Sequence, residues 1–113
     1  MHEVALMTEA VRLAVESAQS AGRGRMAVLR LRVGTLSGAV PAALEFAWEV
    51  VRRGTLAETA RLEIETVPVV CWCAACQMEF AGADFFNECP GCHQVSGELR
   101  RGRELEIAAL EFN

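Results

Sequence analysis

Four cysteines carry the most specific chemistry in the chain. Cys73-Ala-Ala-Cys76 and Cys89-Pro-Gly-Cys92 form two C-x-x-C pairs separated by twelve residues. Each C-x-x-C turn sets two sulfurs on one side of a tight knuckle. Two facing knuckles supply the tetrahedral four-thiolate shell that structural Zn²⁺ prefers. Pro90-Gly91 suits the sharp bend of such a turn. Met78, Phe80, Phe85 and Phe86, between the knuckles, are expected to form a small core. A segment of roughly thirty residues does not usually fold on apolar burial alone. Metal binding, worth on the order of 10–16 kcal/mol in small zinc modules at neutral pH, would supply the missing stability. A filled four-sulfur shell leaves no open position for water or substrate. Zinc on Cys73, Cys76, Cys89 and Cys92 is therefore expected to be structural and not catalytic.

Other uses of these motifs fit less well. A redox C-x-x-C comes singly, near a βαβ unit, and here there are two. Cys89-Pro-Gly-Cys92-His93 matches the c-type haem string C-x-x-C-H, but the partner knuckle upstream and the absence of an export signal weigh against it. A nucleic-acid zinc ribbon shares the spacing. Residues 71–103, however, hold four acids and three arginines, and four thiolates around one Zn²⁺ add a net negative charge that repels phosphate. The fifth cysteine, Cys71, reads as a buried strand residue in preference to a redox or ligand-exchange group. His93 directly follows a ligand and reads as packed beside the site or exposed, in preference to an alternative zinc ligand.

A second donor set lies at the start, Met1-His2-Glu3. A bulky second residue is expected to block removal of Met1 and so keep His2 in place. The Met1 amine, the deprotonated His2 amide and one His2 imidazole nitrogen can close fused small rings around one ion. The Glu3 amide nitrogen or carboxylate completes a fourth position. Planar nitrogen-rich coordination suits Ni(II) or Cu(II) better than Zn(II). Amines and imidazoles ordinarily titrate near ~7.7–8 and ~6.5, so affinity is expected to collapse below about pH 6. Taken alone the signal is weak, since a histidine at position two is an accident in most proteins.

The elements that position these donors follow from periodicity. Leu6 to Ala21 reads as a helix, with Leu6, Ala10, Leu13 and Ser17 on one track beside Met7, Val11, Ala14 and Ala18. Gly22-Arg23-Gly24 ends it. Ala27 to Val33 alternates as a half-buried strand, with Leu29, Leu31 and Val33 opposed to Arg30 and Arg32. Pro41 opens a second helix to about Arg53, with an apolar stripe of Leu44, Ala47, Val50 and Val51. Strands follow at Arg61–Val67 and, after the cysteine-rich stretch, at Glu104–Phe112. The expected architecture is α/β, a small mixed sheet of about three strands with two helices and an inserted zinc-ribbon module. The domains would be residues 1–69 with 103–113, and residues 70–102.

Composition bounds the rest. The chain has 113 residues, about half of them apolar, and a net charge of −4. One domain, or one domain carrying a small appendage, is the expectation, without global attraction for nucleic acid. No stretch approaches the roughly 20 apolar residues of a membrane span, and no secretory signal is evident. The default expectation is a cytoplasmic protein, where paired C-x-x-C motifs favour metal over disulfides.

Together the N-terminal Met-His-Glu, the run Val33-Gly34-Thr35-Leu36-Ser37-Gly38, the strand "ARLEIE", "CWCAAC…CPGCH" and the closing "ELEIAALEF" resemble the HypA/HybF family. The likeness covers essentially the whole length. These are nickel-incorporation proteins of [NiFe]-hydrogenase maturation. The resemblance implies a non-enzymatic nickel metallochaperone, with Ni²⁺ cargo at His2, helped by the Met1 amine and Glu3, and with zinc on the four cysteines. It also implies a nickel-insertion GTPase (HypB) and the hydrogenase large subunit as partners. Monomer or weak homodimer is the expected state. Some members carry a histidine after the first knuckle; here that residue is Gln77, which puts any rearrangement depending on it in doubt. The runner-up is a zinc-ribbon adaptor that binds protein or, less favourably, nucleic acid, with His2 incidental.

Overall fold

The computed structural model describes residues 2–113. Helix α1 (Glu3–Ser20) begins one turn earlier than periodicity suggests. Glu3, Val4 and Ala5 lie off the buried track, so the apolar pattern does not register the first turn, while nothing in them breaks a helix. His2 takes the extended N-cap conformation. The helix ends at a left-handed Gly22 (φ +68), where Arg23 N–H donates to the Ala18 carbonyl at 2.8 Å. This is the bond by which glycine-terminated helices satisfy a free carbonyl. Met7, Ala10, Val11, Ala14 and Ala18 are buried, whereas Leu13, expected inside, is 44% exposed.

Strand β1 (Met26–Gly34) buries Leu29, Leu31 and Val33 and leaves Arg30 and Arg32 at the surface, as the alternation requires. Helix α2 (Pro41–Val51) starts on Pro41 and stops two residues short of Arg53. Its inner face is Leu44, Ala47 and Trp48, with Val51 half-buried. Val50 falls off this i, i+3, i+4, i+7 stripe and is 56% exposed, correcting the sequence expectation.

Strand β2 (Arg61–Val67) pairs parallel with β1, with α2 as the crossover. A parallel pair needs such a connection. The C-terminal strand, numbered β8 below (Leu105–Phe112), returns antiparallel on the other edge, giving the order β2-β1-β8. A register shift passes over Ala108, so that Leu31 faces Ile107 while Arg30 faces Ala109. Without this bulge, strict alternation would turn Leu110 and Phe112 away from the core they pack against. On the outer face Arg30 bridges Glu63 (2.7 Å) and Glu111 (3.2 Å), and Arg32 bridges Glu106 (2.8 Å) and Glu65 (3.6 Å). Each arginine of the central strand thus links both edges.

Between β2 and β8 the chain makes a second, smaller unit: β3 (Val70–Cys73), β4 (Met78–Ala81), β5 (Asn87–Glu88), β6 (Val95–Ser96) and β7 (Leu99–Arg101). β4-β3-β7 form one antiparallel sheet and β5-β6 a two-stranded ladder. Its buried residues are Val69, Cys71, Cys73, Phe80 and Cys89, with Leu36 and Leu99 packed against them. Of the four apolar residues expected to form its core, only Phe80 does so. Met78, Phe85 and Phe86 are 50%, 48% and 73% exposed. The reason is size: the cysteines themselves fill the centre, which leaves room for one aromatic ring. Among the described residues no helix is long and apolar enough to cross a membrane.

Candidate metal centre

The two knuckles sit at corresponding places in the small unit. Cys73 ends β3 and Cys76 closes the turn into β4; Cys89 follows β5 and Cys92 closes the turn toward β6. The residue after each knuckle, Gln77 (φ 55) or His93 (φ 65), is left-handed. A non-glycine residue rarely takes that conformation, and here it reverses the chain after the second sulfur. Sequence spacing located the knuckles but gave no sign that Gln77 and His93 are matching backbone hinges. Inside the turns, amides point at sulfur: Cys76 N–H toward Cys73 Sγ (3.5 Å) and Gly91 N–H toward Cys89 Sγ (3.4 Å). A Cβ on Gly91 would stand 3.4 Å from Cys76 Sγ and 3.7 Å from Cys89 Sγ, in ordinary contact with both sulfurs.

The four sulfurs lie within 4.8 Å of one another, with Cys73 and Cys92 at 3.5 Å and Cys76 and Cys89 at 3.9 Å. Zn–S bonds of about 2.3 Å in a tetrahedron place sulfurs roughly 3.8 Å apart, so this donor set fits zinc. Free of metal, the thiols divide their protons unequally. The amides of Cys92 and Gly91 draw the Cys89 thiol down to about 7. Hydrogen bonding with Cys92, and then with Cys89 and Cys73, pushes Cys76 up to about 12. Cys89 is thus favoured as the thiolate while Cys76 keeps its proton, which is how like-charged groups share a confined site. A dication removes the conflict by taking all four as thiolates.

Cys71 is fully buried in β3, in keeping with its structural reading. Its Sγ accepts the Asn87 side-chain amide at 3.0 Å. Asn87 also takes the amides of Ala83 and Asp84 on Oδ1 (2.9 and 3.1 Å) and donates to the Asp84 carbonyl (2.6 Å). This knot closes the loop between the knuckles, and nothing in the spacing signalled it. His93 is exposed, with Nδ1 2.9 Å from Glu88.

At the other donor set, Met1 lies outside the described residues. His2 is exposed, and its side chain makes no capping bond to α1. Glu3 opens α1, and its Oε2 accepts the Val40 N–H at 3.2 Å. That donor, and then Glu3's own main-chain N–H, hold the carboxyl below the usual carboxylate range. His2, Glu3, Val4, Ala43 and Phe46 line a shallow depression of about 430 Å³, beside a Phe46 ring that is 76% exposed.

Comparison with known proteins places the chain as a whole. The family model described as hydrogenase/urease nickel incorporation, metallochaperone, HypA, matches residues 1–112. A hydrogenase maturation factor HypA of a Picosynechococcus species is 49% identical over 111 residues, covering 98% of each chain. One from a Roseiflexus species is 42% identical over 113 residues, covering 99% of this chain and 92% of its own. Among solved structures, the fold is shared with the nickel metallochaperone HypA of Helicobacter pylori at a TM-score of 0.70 and 24% identity, covering 99% of this chain and 97% of that one. With the sequence matched from end to end, the chain belongs to the HypA family of nickel-incorporation metallochaperones.

Proposed function

We infer that this protein is a nickel metallochaperone that hands Ni(II) to the large subunit of a [NiFe]-hydrogenase during its maturation. The observation that carries the reading is the coexistence, in a chain of this family, of a closed four-sulfur cluster and an exposed His2 whose imidazole caps nothing. The two suit opposite tasks. Residues 70–102 form a zinc-binding domain in which Cys73, Cys76, Cys89 and Cys92 hold Zn²⁺ permanently. Residues 1–69 with 103–113 form an α/β domain that carries nickel at the tip, on the Met1 amine, the His2 amide and imidazole, and Glu3. A shallow site with open faces permits an incoming ligand to join before the outgoing one leaves; a filled thiolate cage does not. The protein performs no chemistry of its own and is not an enzyme. It works in the cytoplasm, as monomer or weak homodimer, with a HypB-type GTPase and the hydrogenase large subunit as partners.

Titration tests this directly. Protein with a native start, already holding one zinc, should bind about one further equivalent of Ni(II) at pH 7.5. His2→Ala should abolish that binding without releasing zinc. A zinc-ribbon adaptor with an incidental His2 binds no such equivalent, and that result would overturn the carrier role.

A further inference from the structure

On the reading that nickel sits at the tip, we propose that the Glu3 carboxylate is a positioning residue and not a nickel ligand: it clamps the start of α1 to the start of α2 and thereby fixes His2.

The start of α2 is short of caps. Its N-cap residue, Val40, has no side-chain oxygen; Pro41 has no N–H; and the first turn contains no acidic residue. An uncapped helix start leaves several N–H groups without partners and a partial positive charge. Glu3 supplies the missing acceptor from 37 residues away, through Oε2 and the Val40 N–H. The loop leading into α2 is tied down from its own side as well. Ser37 N–H donates to the Gly34 carbonyl (3.0 Å), and Ala39 N–H to Ser37 Oγ (3.2 Å). The carboxylate therefore reaches from the start of α1 to a loop that is fixed from its own side, and His2 is the residue next to it.

The same geometry favours the Glu3 main-chain nitrogen as the donor. First-turn N–H groups have no main-chain acceptor within the helix, because the i→i−4 pattern starts only with Leu6 N–H and the His2 carbonyl (3.0 Å), and the Glu3 N–H is engaged only by its own carboxylate. That nitrogen is one peptide from the His2 amide and closes a small chelate ring with it. The carboxylate would close a far larger ring, and one of its two oxygens is already held by the Val40 N–H. Fixing the His2 main chain before the metal arrives lowers the ordering cost of binding.

Glutamine separates the two roles, since its amide oxygen still accepts a hydrogen bond but is a poor nickel ligand. Glu3→Gln, zinc-loaded and with a native start, should hold nickel within about threefold of the parent. Glu3→Ala should lose roughly five- to tenfold, the size of one lost cap. Both variants should leave the ligand-field bands of bound Ni(II) in place. In metal-free protein, hydrogen exchange at the Val40 amide should speed up in Glu3→Ala and not in Glu3→Gln. Equal losses in the two variants with altered nickel bands would make the carboxylate a ligand and overturn the proposal; so would full affinity in Glu3→Ala. The Val40 exchange reports the clamp without nickel, and His2→Ala reports the nickel tip without the clamp, so the two readings fail separately.

Discussion

The α-carbon of Gly34 lies against the carbonyl of Gly102, so that a Cβ there would run into the Gly102 carbonyl and come within 2.6 Å of Arg103 N. This contact lies where the chain leaves the α/β unit and returns to it. Thr35 N–H donates to the Val67 carbonyl (3.0 Å), Leu36 N–H to the Gly102 carbonyl (2.7 Å), and Gly34 N–H to the Glu104 carbonyl (2.7 Å). Leu36 then reaches into the apolar cluster of the small unit. The end of β1 is thus bonded to both crossing segments, and the two units share a seam.

Gly34→Ala is predicted to open that seam, because both clashing partners are backbone and neither can rotate away. A loss of about 1–3 kcal/mol is expected, or roughly 5–15 °C in Tm. Zinc content should stay at one equivalent. Faster exchange at the Leu36 amide would locate the damage; an unchanged melt and unchanged exchange would contradict the tight approach.

Asn87→Ala is predicted to free the loop that precedes the second knuckle. It removes the acceptor of two amides and the donor to Cys71 Sγ together. The cost is about 1–3 kcal/mol for amides left unpaired. Cys71, otherwise fully buried, should then react with a thiol reagent in zinc-loaded protein well before the four knuckle sulfurs. Labelling at the parent rate would rule out a role for Asn87 in shielding Cys71.

Cys89→Ser is predicted to loosen residues 71–102 and spare the sheet of β2, β1 and β8. Cys89 is one of the five buried residues of the small unit, and the α/β core does not draw on it. Limited proteolysis should cut between Ala74 and Gly97 while Leu29 and Leu31 amides stay protected. Loss of protection in β1 would mean the units unfold as one.

Acid should weaken the outer sheet face in a defined direction. Arg61, and then Arg30, hold the Glu63 carboxyl below its ordinary value of 4.5. A lowered folded value favours the ionised form. Its stabilisation is complete above the ordinary carboxyl range and is lost as pH falls through the lowered value. Protection at Leu29 and Leu62, measured against the intrinsic exchange rate at each pH, should therefore fall below about pH 4.5, with a shallower pH dependence in Glu63→Gln. Identical slopes would show that Glu63 contributes nothing to the pH response.

Much of this molecule was legible in the sequence where one physical rule acted alone. The alternation of Leu29, Leu31 and Val33 with Arg30 and Arg32 needed only period two. The four cysteines needed only the geometry of thiolate turns. Legibility failed where two rules compete. The Ala108 bulge is invisible to alternation, because alternation assumes a continuous ladder. Phe85 and Phe86 look like core until the cysteines are seen to occupy the core. Asn87 and the Glu3–Val40 bond join positions whose proximity depends on the tertiary fold. Sheet order, parallel on one edge and antiparallel on the other, is likewise a property of the assembled chain.

The tip offers the last prediction. If the Met1 amine is a nickel donor, a short Gly-Ser extension ahead of Met1 should silence nickel binding even with His2, Glu3 and the Glu3–Val40 bond intact. The extension turns a basic amine into an amide, which gives up its proton far less readily, and it moves the free terminus away from the chelate. Lowering the pH from 7.5 to 6 should release nickel from the unextended protein, as protons compete for its nitrogen donors. Zinc should remain bound over that range, since four thiolates and one dication hold each other far more strongly than a shallow nitrogen site. Metal analysis after gel filtration at both pH values, on extended and native-start protein, reads all four cases. Nickel retained by the extended chain would remove the amine from the ligand set.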